Sequence, residues 1–248
     1  MSVKTAERTL DLIELFALER RPLGLSDIAA QLRMPVSSTH ALLKTLLGRG
    51  YLYPAGRRLG YFPTRKLKQM SDAIADSAPL LEGFAPRLAQ LRDASGETVL
   101  LTKRQGDGVT NIAVFESAQS VRFSPIVGDL KPLHSTAAGK AILGSMPPQE
   151  MMQVLARLKL ERHTEHTITD RVGLAADVAK GRKRGWYQIV GENIRDLMSI
   201  ALPLPIGGEV YAVTIGGPIQ RVRPKTAAHV ERLRRTCAAI QRDAQADD

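Results

Sequence analysis

Apolar residues recur at helical spacing three times within the first fifty positions. In TAERTLDLIELFALE, residues 5–19, Ala6, Leu10, Ile13, Phe16 and Ala17 share a face while Glu7, Asp11 and Glu14 take the other, predicting an amphipathic helix. Arg20, Arg21, Pro22, Leu23 and Gly24 interrupt the pattern. Ser26 is expected to cap a short second helix over 27–31 that turns Ile28, Ala29 and Leu32 inward. After a turn at Arg33, Met34 and Pro35, a third helix is expected over 36–47, with Ala41, Leu42, Thr45 and Leu46 as its apolar stripe. Gly48 and Gly50 mark its end. Residues 51–53 and 59–62 flank a turn from Pro54 to Arg58, which predicts a short hairpin with Arg57 and Arg58 at its tip.

A helical pattern opening at Pro63 and continuing through Ile74 reads as a connector. The next helix, 80–94, points Leu81, Phe84, Leu88 and Leu91 inward, with a kink or restart expected at Pro86. From Thr98 the pattern becomes strand-like, with 98–103 and 111–115 around a turn at 105–108. Three helices follow: one from about Ser135 to Leu143, one after Pro147 and Pro148 carrying Met151, Met152 and Leu155, and one capped by Thr169 with Val172, Leu174 and Val178. Strands over 198–204 and 210–215 and a last helix with Ala227, Val230, Leu233, Cys237 and Ile240 complete the chain. Hairpins interleaved with helices imply an α+β domain on a mostly antiparallel sheet. The expected organisation is a winged helix-turn-helix over 1–63, a linker helix over 64–78 and a second domain over 79–248.

Composition narrows the class. The 248 residues are 44% apolar and 24% charged, which fits one or two globular domains and excludes wholesale disorder. No run approaches the roughly 18 apolar residues of a membrane span. The first helix carries acids through its apolar positions, unlike a secretory signal, and the single Cys237 has no internal disulfide partner. A cytoplasmic location without membrane association is therefore expected.

Charge changes the picture more. The formal balance is +10, and residues 1–70 hold twelve Lys and Arg against five Asp and Glu, a balance of +7. No acid lies between Asp27 and Asp72, where eight of those cations fall. Laid over helix, short helix, tight turn and helix, this asymmetry points to double-stranded DNA entered by the third helix. The small hydroxyl residues Ser37, Ser38 and Thr39, with His40, are placed to meet base edges or phosphates. Lys44 and Arg49 are expected to meet phosphates, and Arg57 and Arg58 to form a wing contact.

Other chemistry is thinner. His163 and His166 suggest metal ligands, but no Cys or third ligand stands near them in sequence. Gly139 and Lys140 lack the upstream glycine spacing of a phosphate loop. Ser135 sits in no G-x-S-x-G elbow, so neither a catalytic residue nor a cofactor is expected. Arg182, Lys183 and Arg184 read as a helix C-terminal cluster, and Cys237 as a core or interface residue. The rival reading is an enzyme acting on a small acid, with the basic module as an accessory and His134 or Ser135 as its reactive groups. One constellation stands out: a helix opening on Ala137 and Ala138 presents unshielded backbone N–H groups, a ready site for an anion.

The motifs ERTLDLIELFA, LSDIAAQLRMPVSSTHALLKTLLGRGYL, PLHSTAAGKAILGSMP, GWYQIVGEN, SIALPLP and GGEVYAVTIGGP, in this order, resemble the IclR family of bacterial transcriptional regulators over almost the whole chain. The resemblance implies a winged helix-turn-helix, a linker helix and a GAF-like effector-binding domain. It further implies homodimers or homotetramers that bind operator DNA and respond to a small organic acid or aromatic effector. It maps the effector pocket onto Leu197, Ser199, Thr214 and Gly216 opposite Ala137 and Ala138, with Gly128 and Leu130 at the mouth. Three positions depart from the family pattern on the DNA and pocket elements: Val36 where a Lys is frequent, Ala41 where an Arg is usual, and Asp196 where glycine is common. Ile189 falls where the family often has an acid, which implies a less polar ligand.

Overall fold

The computed structural model describes residues 3–56, 59–75 and 79–246. The chain divides into two units, residues 1–78 and 79–248. The first contains α1 (Lys4–Glu19), α2 (Leu25–Gln31), α3 (Val36–Gly48), a hairpin of β1 (Leu52–Pro54) and β2 (Tyr61–Pro63), and α4 (Lys66–Ala75). Its core joins Leu12, Leu15 and Phe16 of α1 to Leu23, Ile28, Leu43, Leu46 and Leu52. Each such side chain contributes roughly 1.5–3 kcal/mol by leaving water.

Two helix faces differ from expectation. α1 buries Leu12, Leu15 and Phe16, whereas Ala6 and Ala17 are exposed and Leu10 is 59% exposed. Leu10, Leu12, Ile13, Leu15, Phe16 and Leu18 put apolar surface on most of the helix circumference, so a 3.6-residue period fits more than one face. Likewise α3 buries Thr39, Leu43 and Leu46, leaving Ala41 and Thr45 exposed and Leu42 half-buried. The second helix starts two residues earlier than expected, because the Asp27 carboxylate accepts the Gly24 N–H at 3.3 Å and Gly24, not Ser26, is the cap.

The hairpin is tied to the rest of its unit through Tyr61, which exchanges both backbone hydrogen bonds with Leu23 at 2.8 and 3.1 Å. That approach requires Gly60: a Cβ there would sit 2.1 Å from the Leu23 carbonyl oxygen, and its φ of +88° is also glycine's. Arg57 and Arg58 lie outside the described residues. Beyond the hairpin, Thr64 Oγ1 donates to the Gly50 carbonyl at 2.7 Å and accepts the Lys66 N–H at 3.2 Å, which starts α4.

The second unit opens with α5 (Pro79–Ser95), which buries Phe84, Leu88 and Leu91 and runs unbroken through Pro86 rather than restarting there. The side chain of Leu81 lies outside the described residues. Then come β3 (Thr98–Gln105), β4 (Gly108–Phe115), β5 (Leu130–Pro132), α6 (Ala137–Ser145), α7 (Pro148–Arg157), α8 (Arg171–Arg184), β6 (Tyr187–Val190), β7 (Leu197–Ile206), β8 (Glu209–Pro218), the short α9 (Ile219–Val222) and α10 (Thr226–Ala246). The six strands form one sheet in the order β5-β4-β3-β8-β7-β6, antiparallel at every junction. Gly207 and Gly208, both at positive φ, supply the tight β7–β8 turn.

Strand alternation sends the two faces to separate cores. Met198, Ile200, Leu202 and Leu204 of β7 and Tyr211, Val213 and Ile215 of β8 pack with α5 and α10. The opposite face offers Ala201 and Ala212, small enough for α6 to lie close through Ala137, Ala138 and Ala141. Three smaller expectations change here. Asp170, not Thr169, caps α8 by accepting the Gly173 N–H at 2.6 Å; Val172 is 81% exposed; and Ala227 faces outward on α10. Among the described residues no helix is long and apolar enough to cross a membrane.

Candidate functional site

The DNA-facing candidates separate by helix face. With Thr39, Leu43 and Leu46 turned into the core, Ser37, His40 and Lys44 form an exposed row at i, i+3 and i+7 on α3. Thr39 leaves this set: it is fully buried, and its hydroxyl donates to the Pro35 carbonyl at 3.1 Å, so it closes the first turn of the helix. Ser38 lies half-buried on the flank, beside a groove also lined by Thr9, Met34, Thr45 and Arg49. The Arg49 carbonyl accepts from the Lys66 ammonium at 2.8 Å, and that ammonium also lies 4.7 Å from the Tyr51 ring centre. Among the described residues no carboxylate forms an ion pair with Arg33, Lys44 or Arg49.

The second unit holds a cavity of about 300 Å³ over the α6 face of the sheet. Its floor is made by Leu100, Ile189, Leu197, Ser199 and Thr214, which alternation places on one face of four strands. Ala137 and Ala138 form the wall at the start of α6, where Thr136 Oγ1 accepts the Gly139 N–H at 3.1 Å. The N–H groups of Ala137 and Ala138 precede the intrahelical ladder and carry the positive end of the helix dipole. Gly139 has a different task, since a Cβ there would fall 2.2 Å from the Leu133 carbonyl oxygen; it lets α6 pack against that backbone. The facing wall is Phe123, Ser124, Pro125 and Ile126, from the segment between β4 and β5.

Of the eight effector positions, Ala137, Ala138, Leu197, Ser199 and Thr214 meet at this cavity. Gly216 lies beneath it, with the Phe123 ring 3.0 Å from where a Cβ would be. Gly128 and Leu130 are outside the lining; Gly128 donates its N–H to the Asn111 carbonyl at 2.9 Å, and Leu130 is 60% exposed on the edge strand. One polar atom is conspicuous. Thr214 is 2% exposed, and its Oγ1 has no hydrogen-bond partner. A buried hydroxyl without a partner costs about 1–3 kcal/mol.

Several polar groups at the cavity carried no signal of their own in the sequence. Asn111 donates to the Ile126 carbonyl at 3.3 Å and accepts from Thr102, so it fixes the facing wall. Asn193 donates to Ser135 Oγ at 3.1 Å. Lys131 and Asp129 also line the cavity and pair at 3.1 Å. Behind α6, the fully buried Lys140 ammonium is held by Asp177 at 2.7 Å and by both oxygens of Glu192 at 2.6 and 2.8 Å. Burial pushes the Glu192 carboxyl above the usual carboxylate range, against the pull of Lys140. The sequence offered Lys140 only as part of a failed phosphate-loop pattern; its two carboxylate partners lie 37 and 52 residues away.

The groups of the rival enzymatic reading have other engagements. His134 Nε2 bonds the Glu161 backbone carbonyl at 2.9 Å, its ring stacks on His163 at 5.7 Å, and burial holds it below its ordinary value. Ser135 Oγ accepts from Asn193. Among the described residues no cluster of three His, Cys, Asp or Glu side chains is arranged to hold a metal ion. Arg182 does not serve its own helix end; its guanidinium bonds the Gly144 and Met146 carbonyls at 3.0 and 2.9 Å and so finishes α6. Cys237 is buried on α10, where burial pushes its thiol up to about 12.

Comparison with known proteins adds independent findings. Residues 5–56 match the IclR helix-turn-helix domain, and residues 72–242 match the C-terminal domain of bacterial IclR transcriptional regulators. The chain is 29% identical over 222 residues to the HTH-type transcriptional regulator BhcR of Paracoccus denitrificans, spanning 89% of this chain and 79% of that one. It is 29% identical over 220 residues to the HTH-type transcriptional repressor AllR of Klebsiella pneumoniae, spanning 88% and 81%. The fold matches the crystal structure of the Thermotoga maritima IclR, with a TM-score of 0.83 at 24% identity over 97% of this chain and 98% of that one. It also matches an IclR homologue from Microbacterium hydrocarbonoxydans complexed with 4-hydroxybenzoate, with a TM-score of 0.77 at 22% identity over 98% and 99%.

Proposed function

The chain belongs to the IclR family and is a transcriptional regulator, and from that premise we propose that it switches operator binding in response to a small carboxylate held in the second unit. Ser37, His40 and Lys44 read or grip duplex DNA from the exposed face of α3. Ser38, Arg49, Arg57 and Arg58 add phosphate contacts around them. Homo-oligomers, dimers or tetramers, present paired heads to paired half-sites in the cytoplasm. The relatives are named as regulators and not as enzymes, and the reading assigns the second unit to binding without turnover.

The observation that carries the effector reading is the orphan Thr214 hydroxyl on the floor of a cavity that begins at the N-terminal turn of α6. A carboxylate there accepts from the Ala137 and Ala138 N–H groups and from the Thr214 and Ser199 hydroxyls. Leu100, Ile189 and Leu197 hold its apolar body. The cavity volume suits an aromatic or short aliphatic acid, and the homologue carrying 4-hydroxybenzoate makes that compound the first probe.

Thermal denaturation with 4-hydroxybenzoate and a series of short aliphatic acids tests the reading. A ligand that releases DNA should raise the melting temperature, by about 2.7 kcal/mol of linkage at a hundredfold excess over Kd. The shift should disappear in a Ser199→Ala, Thr214→Ala double variant. Retention of full ligand response by that variant would place the effector elsewhere. DNA mobility that is unaltered by micromolar protein and insensitive to salt would refute the DNA assignment.

A further inference from the structure

The wall facing α6 is a connecting segment, residues 116–129, and the strands hold it from both sides of the sheet. On the cavity side, Thr98 Oγ1 donates to the Phe123 carbonyl at 2.5 Å, and the Phe123 ring lies against Gly216. On the far side, Glu97 lies over Gly217, where a Cβ would be 2.2 Å from its carboxylate oxygen. Adjacent glycines of β8 therefore clear two seats on opposite faces of one strand, one for an aromatic ring and one for a carboxylate.

Arg221 of α9 connects the second seat to the wall. Its guanidinium grips both Glu97 oxygens at 2.7 Å, and its remaining amino group donates to the Val121 carbonyl at 2.8 Å. Glu97 is 4% exposed and held by a two-pronged grip, so the pair is geometrically fixed although Arg221 keeps one side toward solvent. Val121 is two residues from Phe123 in the same segment. Ser117 adds a bond from its hydroxyl to the Gly96 carbonyl at 2.7 Å, and Glu116 binds both Arg122 and Ser124 within the segment. No residue of the Glu97–Arg221 pair lines the cavity.

We propose that Glu97 and Arg221 are positioning residues of the effector cavity: a latch that acts through the Val121 carbonyl to keep Phe123 seated over Gly216, so that the wall closes on a ligand held at α6. The pair controls how long a ligand stays and makes no contact with it. This use of the latch rests on the effector reading of the cavity, but the latch itself can be measured without any ligand.

The test is amide hydrogen exchange on the full-length chain and on Glu97→Gln and Arg221→Lys. Glu97→Gln keeps the side-chain shape and weakens the charge-assisted grip on Arg221. Arg221→Lys keeps an ion pair, and hence the fold, yet a single ammonium cannot fork onto Glu97 and also reach Val121. Both variants are expected to exchange about tenfold faster at amides in 118–126, with β7 unchanged, as local opening predicts. Unchanged exchange in 118–126, or equal acceleration across β7 and β8, would overturn the latch; the second result would make the pair an ordinary support of the fold. With 4-hydroxybenzoate as probe, Arg221→Lys should speed dissociation about tenfold, since loss of a closing contact is read mainly in the off-rate. An unaltered off-rate would overturn the role in ligand retention. Failure of the unsubstituted protein to bind 4-hydroxybenzoate would count against that ligand, leaving exchange alone to decide the latch.

Discussion

The two units use the same cationic residues in opposite ways. In the first, Arg33, Lys44 and Arg49 have no carboxylate partner among the described residues, and the side chains of Lys44 and Arg49 stand at the surface. In the second, four cations are consumed internally. Lys140 sits between Asp177 and Glu192, Arg221 is forked onto Glu97, and Arg171 and Arg182 satisfy helix-end carbonyls. An unpaired surface cation costs little in water and keeps its field for a phosphate. A buried one is tolerated only with its partners in place. Cations of α3 and its C-cap are thus left for a partner, whereas Lys140, Arg171, Arg182 and Arg221 are spent on the structure of their own unit.

That contrast can be broken most forcefully at Lys140. Lys140→Met should destabilise the second unit by roughly 3–5 kcal/mol, because Asp177 and Glu192 would face each other with no cation between them. Urea denaturation of the variant measures this directly, and a loss below about 1 kcal/mol would show that the site relaxes easily. A smaller effect is expected from acid. Burial holds His134 and His229 below their ordinary value of 6.5, so the unfolded chain takes up protons that the folded state refuses. Their stabilising contribution is complete above that value and is lost as pH falls below it. A melting-temperature profile across this window should flatten in His229→Phe, since both ring nitrogens of His229 lack partners and nothing is orphaned by the change.

Thr214→Val tests the cavity on a finer scale. Removing a hydroxyl that has no partner should leave stability unchanged or raise it by up to about 1 kcal/mol, while weakening carboxylate binding. A clear loss of stability would mean that the hydroxyl has a role in the empty protein. The smallest effect on stability is expected at Lys44→Ala, within about 0.5 kcal/mol. Its signature is instead a weaker DNA complex whose salt dependence falls by about one charge. A large stability loss there would erase the distinction between the units.

Much of the architecture was legible in the sequence because local signals agreed. The short helix before Pro35, the Tyr-rich strands around Pro54 and the alternation in β7 each fit one element type only. Which face of a helix turns inward was harder to read. On α1 and α3 the choice depends on Leu23, Ile28 and Leu52 from other elements, and a rotation of one residue moved Thr39 from the DNA-facing set into the core. The cavity was half legible for a related reason. Ala137 and Ala138 announce a bare helix start, and Ser199 and Thr214 lie on strands with clear alternation. Phe123 and Asn111 gave no warning, because their roles come from a connecting segment folded back over the sheet.

Helix α6 is anchored along its whole length. From Ala137 to Gly144 every residue is buried, its first turn is capped by Thr136, its last carbonyls are held by Arg182, and Lys140 is bolted to α8 and to the turn after β6. On the proposed effector reading, an anion arriving at its N-terminus therefore meets an anvil. The displacement it produces must appear on the other jaw, in residues 123–126 and whatever they touch, because that side is held by a few hydrogen bonds and the helix by a whole core. On that reading, a signal that leaves this domain starts from the jaw that can give.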